Sequence, residues 1–229
     1  MEGLVPTKHF QTKEEYIYDT LRTAILQCKI EPGAKLVIDH LTSTFSSSTI
    51  PIRTALQRLQ AEGLVEIVPH TGAVVSEISV DSIVEVFTIL EALERAAFEK
   101  AAEKIKPDDF YELEQLMAEM ERAQQAGEID RWSDLNGQFH HRIAEISGMK
   151  LLTDFMDRTL NYWGRVRRYY LAEIASERVP QAQADHRELL ALLKAGRTAD
   201  LLEKVAQHNQ QALLAYQRLM QSGTFTLRH

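Results

Sequence analysis

The spacing of apolar residues in the last two thirds of the chain most restricts its fold. From residue 81 onward, apolar side chains recur every three or four positions in segments separated by short breaks, which is the period of an α-helix. The spacing predicts six helices, over residues 82–104, 107–126, 130–147, 150–175, 180–195 and 199–222. The first of them shows the apolar stripe that each helix carries: Ile83, Val86, Phe87, Leu90, Leu93, Ala97 and Phe98. Because each stripe needs a partner surface, the segments predict an antiparallel six-helix bundle.

The first 78 residues follow a different pattern. Helical spacing covers residues 14–27, and Pro32-Gly33 then predicts a turn. A short helix over 39–44 and a second one over 50–62 follow, and two β-branched runs flank Pro69-His70-Thr71-Gly72, which predicts a β-hairpin. This is the order of a winged helix-turn-helix with three helices and a hairpin. We therefore predict a mainly α protein, with a winged helix-turn-helix domain at 1–78 and an all-helical domain at 79–229.

Composition restricts the class of protein further. No apolar run approaches the roughly 18 residues of a membrane span, and the single cysteine, Cys28, excludes an internal disulfide. We therefore expect a cytoplasmic protein with no membrane partner. The net charge of −7 would, alone, argue against a nucleic-acid partner. Since residues 1–80 hold seven basic against nine acidic residues, we expect weak non-specific attraction to DNA.

A spaced set of residues in the first domain carries a family resemblance. The set comprises Pro32-Gly33, Pro51, Arg53, Ala55-Leu56, Leu59, Gly63-Leu64 and Gly72. With this pattern, residues 13–78 resemble the DNA-binding domain of the GntR family of bacterial transcription regulators. The resemblance implies that Arg53 contacts an operator in double-stranded DNA, supported by Ser48, Thr49, Arg58, His70 and Thr71. The chain departs from the family at Thr49 and Asp39, where many members carry arginine.

The second domain places three histidines on the inward side of three different helices. Helical phase puts His140 at the edge of its apolar stripe and the adjacent His141 on the solvent side. His186 and His208 each lie within the stripe of their own helix. A lone inward histidine is most often a hydrogen-bonded core residue, but three together form a metal-like set. Asn136 lies four residues before His140, on the same helical face, and could share the ion with it.

Residues 82–220 resemble the FCD effector-binding domain of the FadR subfamily, and six helices resemble its VanR-like branch. The shared pattern is Asn136-Gly-Gln-Phe139-His140, followed by one histidine in each of the last two helices. The resemblance implies that Asn136, His140, His186 and His208 bind a divalent metal, zinc or nickel, with a small carboxylate effector beside it. Many relatives carry aspartate at the position of Asn136.

An arginine near the position of Leu90 reaches the effector in many relatives, and leucine cannot replace it. Arg167 is the candidate substitute, and Trp163 and Tyr170 lie on the same side of its helix. An arginine that covers apolar surface with its stem and keeps its head group in water is an equally good interpretation of Arg167.

These patterns favour a non-enzymatic, metabolite-responsive transcription regulator that binds a palindromic operator as a homodimer. One alternative is a constitutive dimeric DNA binder whose helical domain has lost effector sensing. Another is a helical metalloenzyme in which three histidines leave an open metal position for an activated water. That enzyme would need a general base near the metal, and no inward Glu or Asp stands out at a suitable spacing in the sequence.

Overall fold

The structure, a computed structural model, describes residues 12–222 apart from the side chains of Leu171 and Ala172. The ends of the two predicted domains, residues 1–11 and 223–229, lie outside this range. The chain divides between Glu77 and Ile78 into two compact units.

The N-terminal unit contains three helices and a small sheet. The helices are α1 (Lys13–Leu26), α2 (Ile38–Thr44) and α3 (Thr49–Ala61), and the strands are β1 (Lys35–Val37), β2 (Val65–Val68) and β3 (Gly72–Val75). Thr12 caps α1: its hydroxyl oxygen accepts from the backbone N–H of Glu15, and the Glu15 carboxylate accepts from the backbone N–H of Thr12. The core forms where Ile17, Leu21 and Ile25 of α1 pack on the face of α3 that carries Ile52, Leu56 and Leu59.

The sheet has one strand more than the predicted hairpin. All three strands are antiparallel in the order β1-β3-β2, and Leu36 of β1 lies opposite Ala73 of β3. β1 is three residues long, too short to show an alternating pattern in the sequence. Gly72 lies opposite Val37, and a Cβ atom at Gly72 would come within 1.9 Å of the Leu36 carbonyl oxygen. Only glycine therefore fits where the hairpin meets β1.

The C-terminal unit contains five helices among the described residues, one fewer than predicted. They are α4 (Val80–Lys104), α5 (Pro107–Gln125), α6 (Ile129–Ile146), α7 (Lys150–Lys194) and α8 (Thr198–Ser222). The predicted fourth and fifth helices form the single helix α7, so the break expected at 176–180 was wrong. Pro180 removes one backbone donor, the partner of the Ser176 carbonyl. The helix continues because Ala175, Val179 and Ala182 keep a buried stripe in helical phase across that point.

One continuous apolar core joins these five helices. α4 packs against α6, α7 and α8, while α5 packs against α6 and α7. Its fully buried side chains include Ile83, Phe98, Phe139, Leu189 and Tyr216, one or more from four of the helices. Among the described residues, no helix is both long enough and apolar enough to cross a membrane. Polar side chains interrupt the core where α4, α6, α7 and α8 meet, and the histidines lie there.

Candidate functional site

The three histidines predicted to face inward come together inside the C-terminal unit. His140 of α6, His186 of α7 and His208 of α8 are all buried. Each offers one ring nitrogen to a group in which these atoms lie within 4.8 Å of one another. The Nε2 atoms of His140 and His186 are 3.2 Å apart. His141 lies on the outer face, with its ring between Asp157 and Glu145.

A buried carboxylate orients His140. Oε1 of Glu94, on α4, lies 2.7 Å from Nδ1 of His140. The other oxygen, Oε2, accepts a hydrogen bond of 2.6 Å from Nδ2 of Asn209. Burial alone would raise the pKa of Glu94, but the contacts with His140 and Asn209 lower it on balance, so this carboxyl is ionised. Because Nδ1 of His140 is held by Glu94, its Nε2 is the atom that points to the other histidines.

A second buried carboxylate, that of Asp185, orients His208. Oδ2 of Asp185 lies 3.1 Å from Nδ1 of His208, and Oδ1 lies 2.8 Å from Nζ of Lys204. Burial opposes ionisation, but the contacts with His208 and Lys204 bring the pKa of Asp185 down to about 2. Arg178 completes this group, with Nη1 at 3.6 Å from Oδ2 of Asp185. Two histidines thus each have a carboxylate behind them, the usual arrangement around a histidine that binds metal.

Burial favours the neutral form of two of the histidines. Burial lowers the pKa of His186 well below its ordinary value, and the positive charges around it act in the same direction. Burial also lowers the pKa of His208. Neutral imidazole is the form that binds metals. In a tetrahedral site with bonds of about 2.0–2.1 Å, ligand nitrogens are about 3.4 Å apart, so the 3.2 Å between His140 and His186 fits such a site.

A cavity of small volume extends from two of the histidines. The space open to the centre of a water-sized sphere is about 20 Å³, which corresponds to one or two water molecules. Its lining includes His140, His208 and Asn136, together with Arg167, Trp163 and Tyr216. The structure therefore brings Asn136, Arg167 and Trp163 to the histidine cluster. Tyr170 is buried but does not line the cavity, and its hydroxyl donates to the carbonyl of Ile78 at 3.3 Å.

Arg167 is a buried cation. Its side chain is 4% exposed and stacks over the Trp163 ring, with Cζ 5.4 Å from the ring centroid. Burial lowers the pKa of Arg167 to about 10, so the group is still charged at neutral pH. Among the described residues, Nε and Nη1 of Arg167 have no hydrogen-bond partner, nor has the hydroxyl of Tyr216. The burial of the whole side chain argues against a head group kept in water.

The predicted DNA contacts lie on α3 and on the hairpin of the N-terminal unit. Ser48 is the exposed N-cap of α3, and its side chain makes no capping hydrogen bond; Thr49 and Arg53 are exposed on the first two turns. His70 and Thr71 are exposed at the hairpin tip, and His70 has a left-handed backbone with φ of 64°. Asp39 is exposed in the first turn of α2.

Arg58 differs from the other predicted DNA contacts, because it is engaged within the unit. Its guanidinium lies 3.7 Å from the centroid of the Tyr18 ring and 3.6 Å from Oε1 of Glu14, both on α1. Its side chain nevertheless stays 42% exposed. Among the described residues, Arg53 has no ion pair or ring contact, so of the two arginines only Arg58 stabilises the unit in this way.

A winged helix followed by a helical unit with a buried polar site is the architecture of a class of DNA-binding regulators. Residues 13–75 match the model of the bacterial regulatory proteins of the gntR family, and residues 85–211 match the FCD domain. The chain belongs to the GntR family of transcription regulators and carries an FCD domain.

Individual relatives support this assignment. The chain is 26% identical over 215 residues to the transcriptional repressor RspR of Escherichia coli K12, covering 93% of each chain. It is 27% identical to the transcriptional regulator McbR of the same strain, over 72% of this chain and 75% of McbR. The solved structure of E. coli McbR superposes with a TM-score of 0.74 at 24% identity, over 92% of this chain and all of that one. These relatives are named as regulators, in agreement with the predicted non-enzymatic function.

Sequence reasoning missed Glu94 and Asp185. The expectation that no inward Glu or Asp stands out at a suitable spacing was wrong, since the two side chains are 2% and 4% exposed. Glu94 lies four residues after Leu90 and three before Ala97 on the stripe of α4, and that spacing was the available signal. Both carboxylates are occupied by histidine, amide or cationic partners, so neither is left as a general base for an activated water.

Proposed function

We propose that this protein is a cytoplasmic, homodimeric repressor whose operator affinity is controlled by a small organic acid bound beside a divalent metal. The observation that carries the proposal is the group of three buried histidine nitrogens, two of them backed by carboxylates. His140, His186 and His208 would hold the ion, and the amide oxygen of Asn136 would be a fourth ligand. Bound there, a zinc or nickel ion supplies a Lewis-acidic position for a carboxylate.

The arrangement of this chain supports regulation through binding. Arg167 and Trp163 line the same cavity as His140 and His208, so an acid bound there would contact residues of α6, α7 and α8 together. An effector changes an equilibrium only by binding one state more tightly than the other. The repressor assignment rests on RspR, a named repressor, and the homodimer on the way two-fold proteins read two half-sites.

Metal analysis of the purified protein tests the metal site. We expect about one zinc or nickel ion per chain, lost in His140→Ala and in His208→Ala. The matched control is His141→Ala, because His141 is adjacent in sequence but lies outside the cluster. Equal metal content in all four proteins, or no bound metal and no change of melting temperature on chelation, would falsify the metal site.

Mobility-shift binding to DNA upstream of the protein's own gene tests the DNA contacts. We propose that Ser48, Thr49, Arg53, His70 and Thr71 contact the operator, with Arg58 contributing less because α1 engages it. Arg53→Ala should weaken specific binding about 5- to 150-fold, the value of about 1–3 kcal/mol for a good arginine–base contact. Unchanged affinity in this variant would remove Arg53 from the interface.

A further inference from the structure

The charges buried around the histidine cluster specify the charge of the effector. Two buried carboxylates, Glu94 and Asp185, stand against the buried guanidiniums of Arg167 and Arg178, and Arg165 is a third buried guanidinium of this unit. Lys204 has its own surface partner in Glu188 at 2.7 Å. The side chains around the cluster therefore carry no excess of negative charge. A divalent ion at the cluster adds two positive charges that no described side chain offsets. Uncompensated buried charge is costly, so the missing counter-charge is that of the ligand.

The unused hydrogen-bond donors show where the second negative group lies. Nε and Nη1 of Arg167 and the hydroxyl of Tyr216 have no partner among the described residues. Both side chains line the cavity that His140 and His208 also line. Burial raises the pKa of Tyr216, which keeps its hydroxyl a donor at all physiological pH values. Guanidinium and hydroxyl donors that line one cavity can bind the two oxygens of a carboxylate.

We propose that the effector is a short dicarboxylate, with one carboxylate directed to the metal and the other to Arg167 and Tyr216. This inference rests on the proposed function, because it requires the metal. Because the cavity is small, we expect a short carbon chain, and the lining side chains must move apart to admit it. A monocarboxylate of equal length leaves either the ion or Arg167 without a counter-charge.

Calorimetric titration of the zinc-loaded full chain tests the proposal with matched acid pairs. The pairs are malonate with propionate, succinate with butyrate, and glutarate with pentanoate, and inorganic phosphate is a separate arm. We expect one dicarboxylate to bind at least 100-fold more tightly than its matched monocarboxylate. Arg167→Gln should reduce that ratio to below tenfold, while Arg167→Lys keeps part of it. Arg168→Gln is the control, since Arg168 pairs with Asp134 at the surface.

The outcomes separate this inference from the proposed function. If zinc does not bind, the proposed function fails. If zinc binds and each monocarboxylate equals its partner, or phosphate is preferred, or no acid binds, the metal site stands and the dicarboxylate is wrong. A ratio unchanged in a folded Arg167→Gln protein overturns the role of Arg167.

A second and independent observation concerns Ile50 on α3. Its side chain is 77% exposed, the highest value among the large apolar side chains of the described residues. It lies in the first turn of the second helix of a helix-turn-helix, three residues before the exposed Arg53. In this motif the first residues of the second helix reach base edges in the major groove, where thymine alone presents a methyl group.

We infer that Ile50 reads a thymine methyl in each half-site of the operator. An isoleucine cannot hydrogen-bond to a base, so apolar contact is the only specificity it can supply. Many family members carry an arginine at the position of Thr49, at the start of α3. In this chain, the contact of Ile50 with thymine would take the place of that arginine's contact.

Replacing thymine by deoxyuridine removes only the methyl group and therefore tests Ile50 directly. The probes are duplexes selected by the protein from a random library, substituted at one thymine at a time and measured by fluorescence anisotropy. We expect one position per half-site at which uracil lowers affinity about fourfold, the transfer value of about one methyl group. Ile50→Ala should abolish the loss at that position, whereas Arg53→Ala should retain it. A duplex without such a position, or an equal loss in Ile50→Ala, overturns the inference.

Discussion

The two units of this protein place their polar residues in opposite ways. In the N-terminal unit, the residues proposed to bind DNA are all exposed, and no charged side chain is buried among residues 12–77. In the C-terminal unit, the described residues include fourteen buried polar or charged side chains, and the candidate site is made of them. DNA is a large partner that reaches exposed groups, whereas a small ligand must be surrounded. Substitutions should therefore separate function from stability in the first unit and couple them in the second.

The largest effect that this contrast predicts is at Glu94. Glu94→Ala leaves the facing polar atoms of His140 and Asn209 buried without a partner. We expect the free energy of unfolding to fall by about 3–5 kcal/mol, since two buried polar groups each lose a partner at a cost of about 1–3 kcal/mol. Urea titration followed by circular dichroism measures it. Glu94→Gln, which keeps the volume and can still accept from Asn209, should lose less than half as much. Equal losses in the two variants would show that packing, not pairing, is what Glu94 provides.

A backbone contact gives the next largest effect, and here the N-terminal unit is the sensitive one. Gly72→Ala puts a Cβ atom within 1.9 Å of the Leu36 carbonyl oxygen, so strand β1 must move. We expect a loss of about 2–3 kcal/mol in stability, together with weaker DNA binding. Gly63→Ala is the matched control, because it also has a positive φ but meets no atom within 4 Å. A Gly72→Ala protein as stable as Gly63→Ala would contradict the tight packing of the hairpin on β1.

At Arg167, unlike at Glu94 and Gly72, we expect a substitution to stabilise the protein. Arg167→Met removes a buried charge whose Nε and Nη1 atoms have no partner in the described part of the chain. Without ligand, the variant should gain about 1–2 kcal/mol in the free energy of unfolding, the value of an uncompensated buried polar group. Denaturant titration in metal-free buffer measures the gain. A destabilised variant would mean that Arg167 contributes more to the fold than to the ligand.

The smallest effect is expected at Arg58. Arg58→Ala loses the contact with the Tyr18 ring and the partly exposed pair with Glu14. We expect a loss of about 0.5–1 kcal/mol in stability, and a smaller loss of DNA affinity than in Arg53→Ala. Thermal melts of both variants measure the stability, and mobility shifts measure the DNA affinity. If Arg58→Ala binds DNA more weakly than Arg53→Ala, the order of the two contacts is reversed.

Periodic features of the fold could be predicted from the sequence. The apolar stripes indicated the buried faces of α4, α6 and α8, and they placed His140 inward and His141 outward. The same argument put Arg167 on one side of its helix with Trp163 and Tyr170, and all three side chains are buried. These predictions succeed because helical phase fixes direction within one segment.

Features that depend on another segment could not be predicted. Pro180 predicted a break, but the buried stripe through Val179 outweighs one lost hydrogen bond. Glu94 on an apolar stripe looks like an interruption of the core until Asn209, 115 residues away, is known to lie beside it. β1 forms only because β3 offers it a free edge. In each case the deciding contact joins residues far apart in the sequence.

Pro180 also determines where α7 bends most easily. A helix with one missing backbone hydrogen bond bends most easily at that turn. Trp163 and Arg167 lie before the turn at Pro180, and Asp185 and His186 lie after it. The curvature of α7 therefore sets the separation between the two groups, and a molecule that bridges them would fix that curvature.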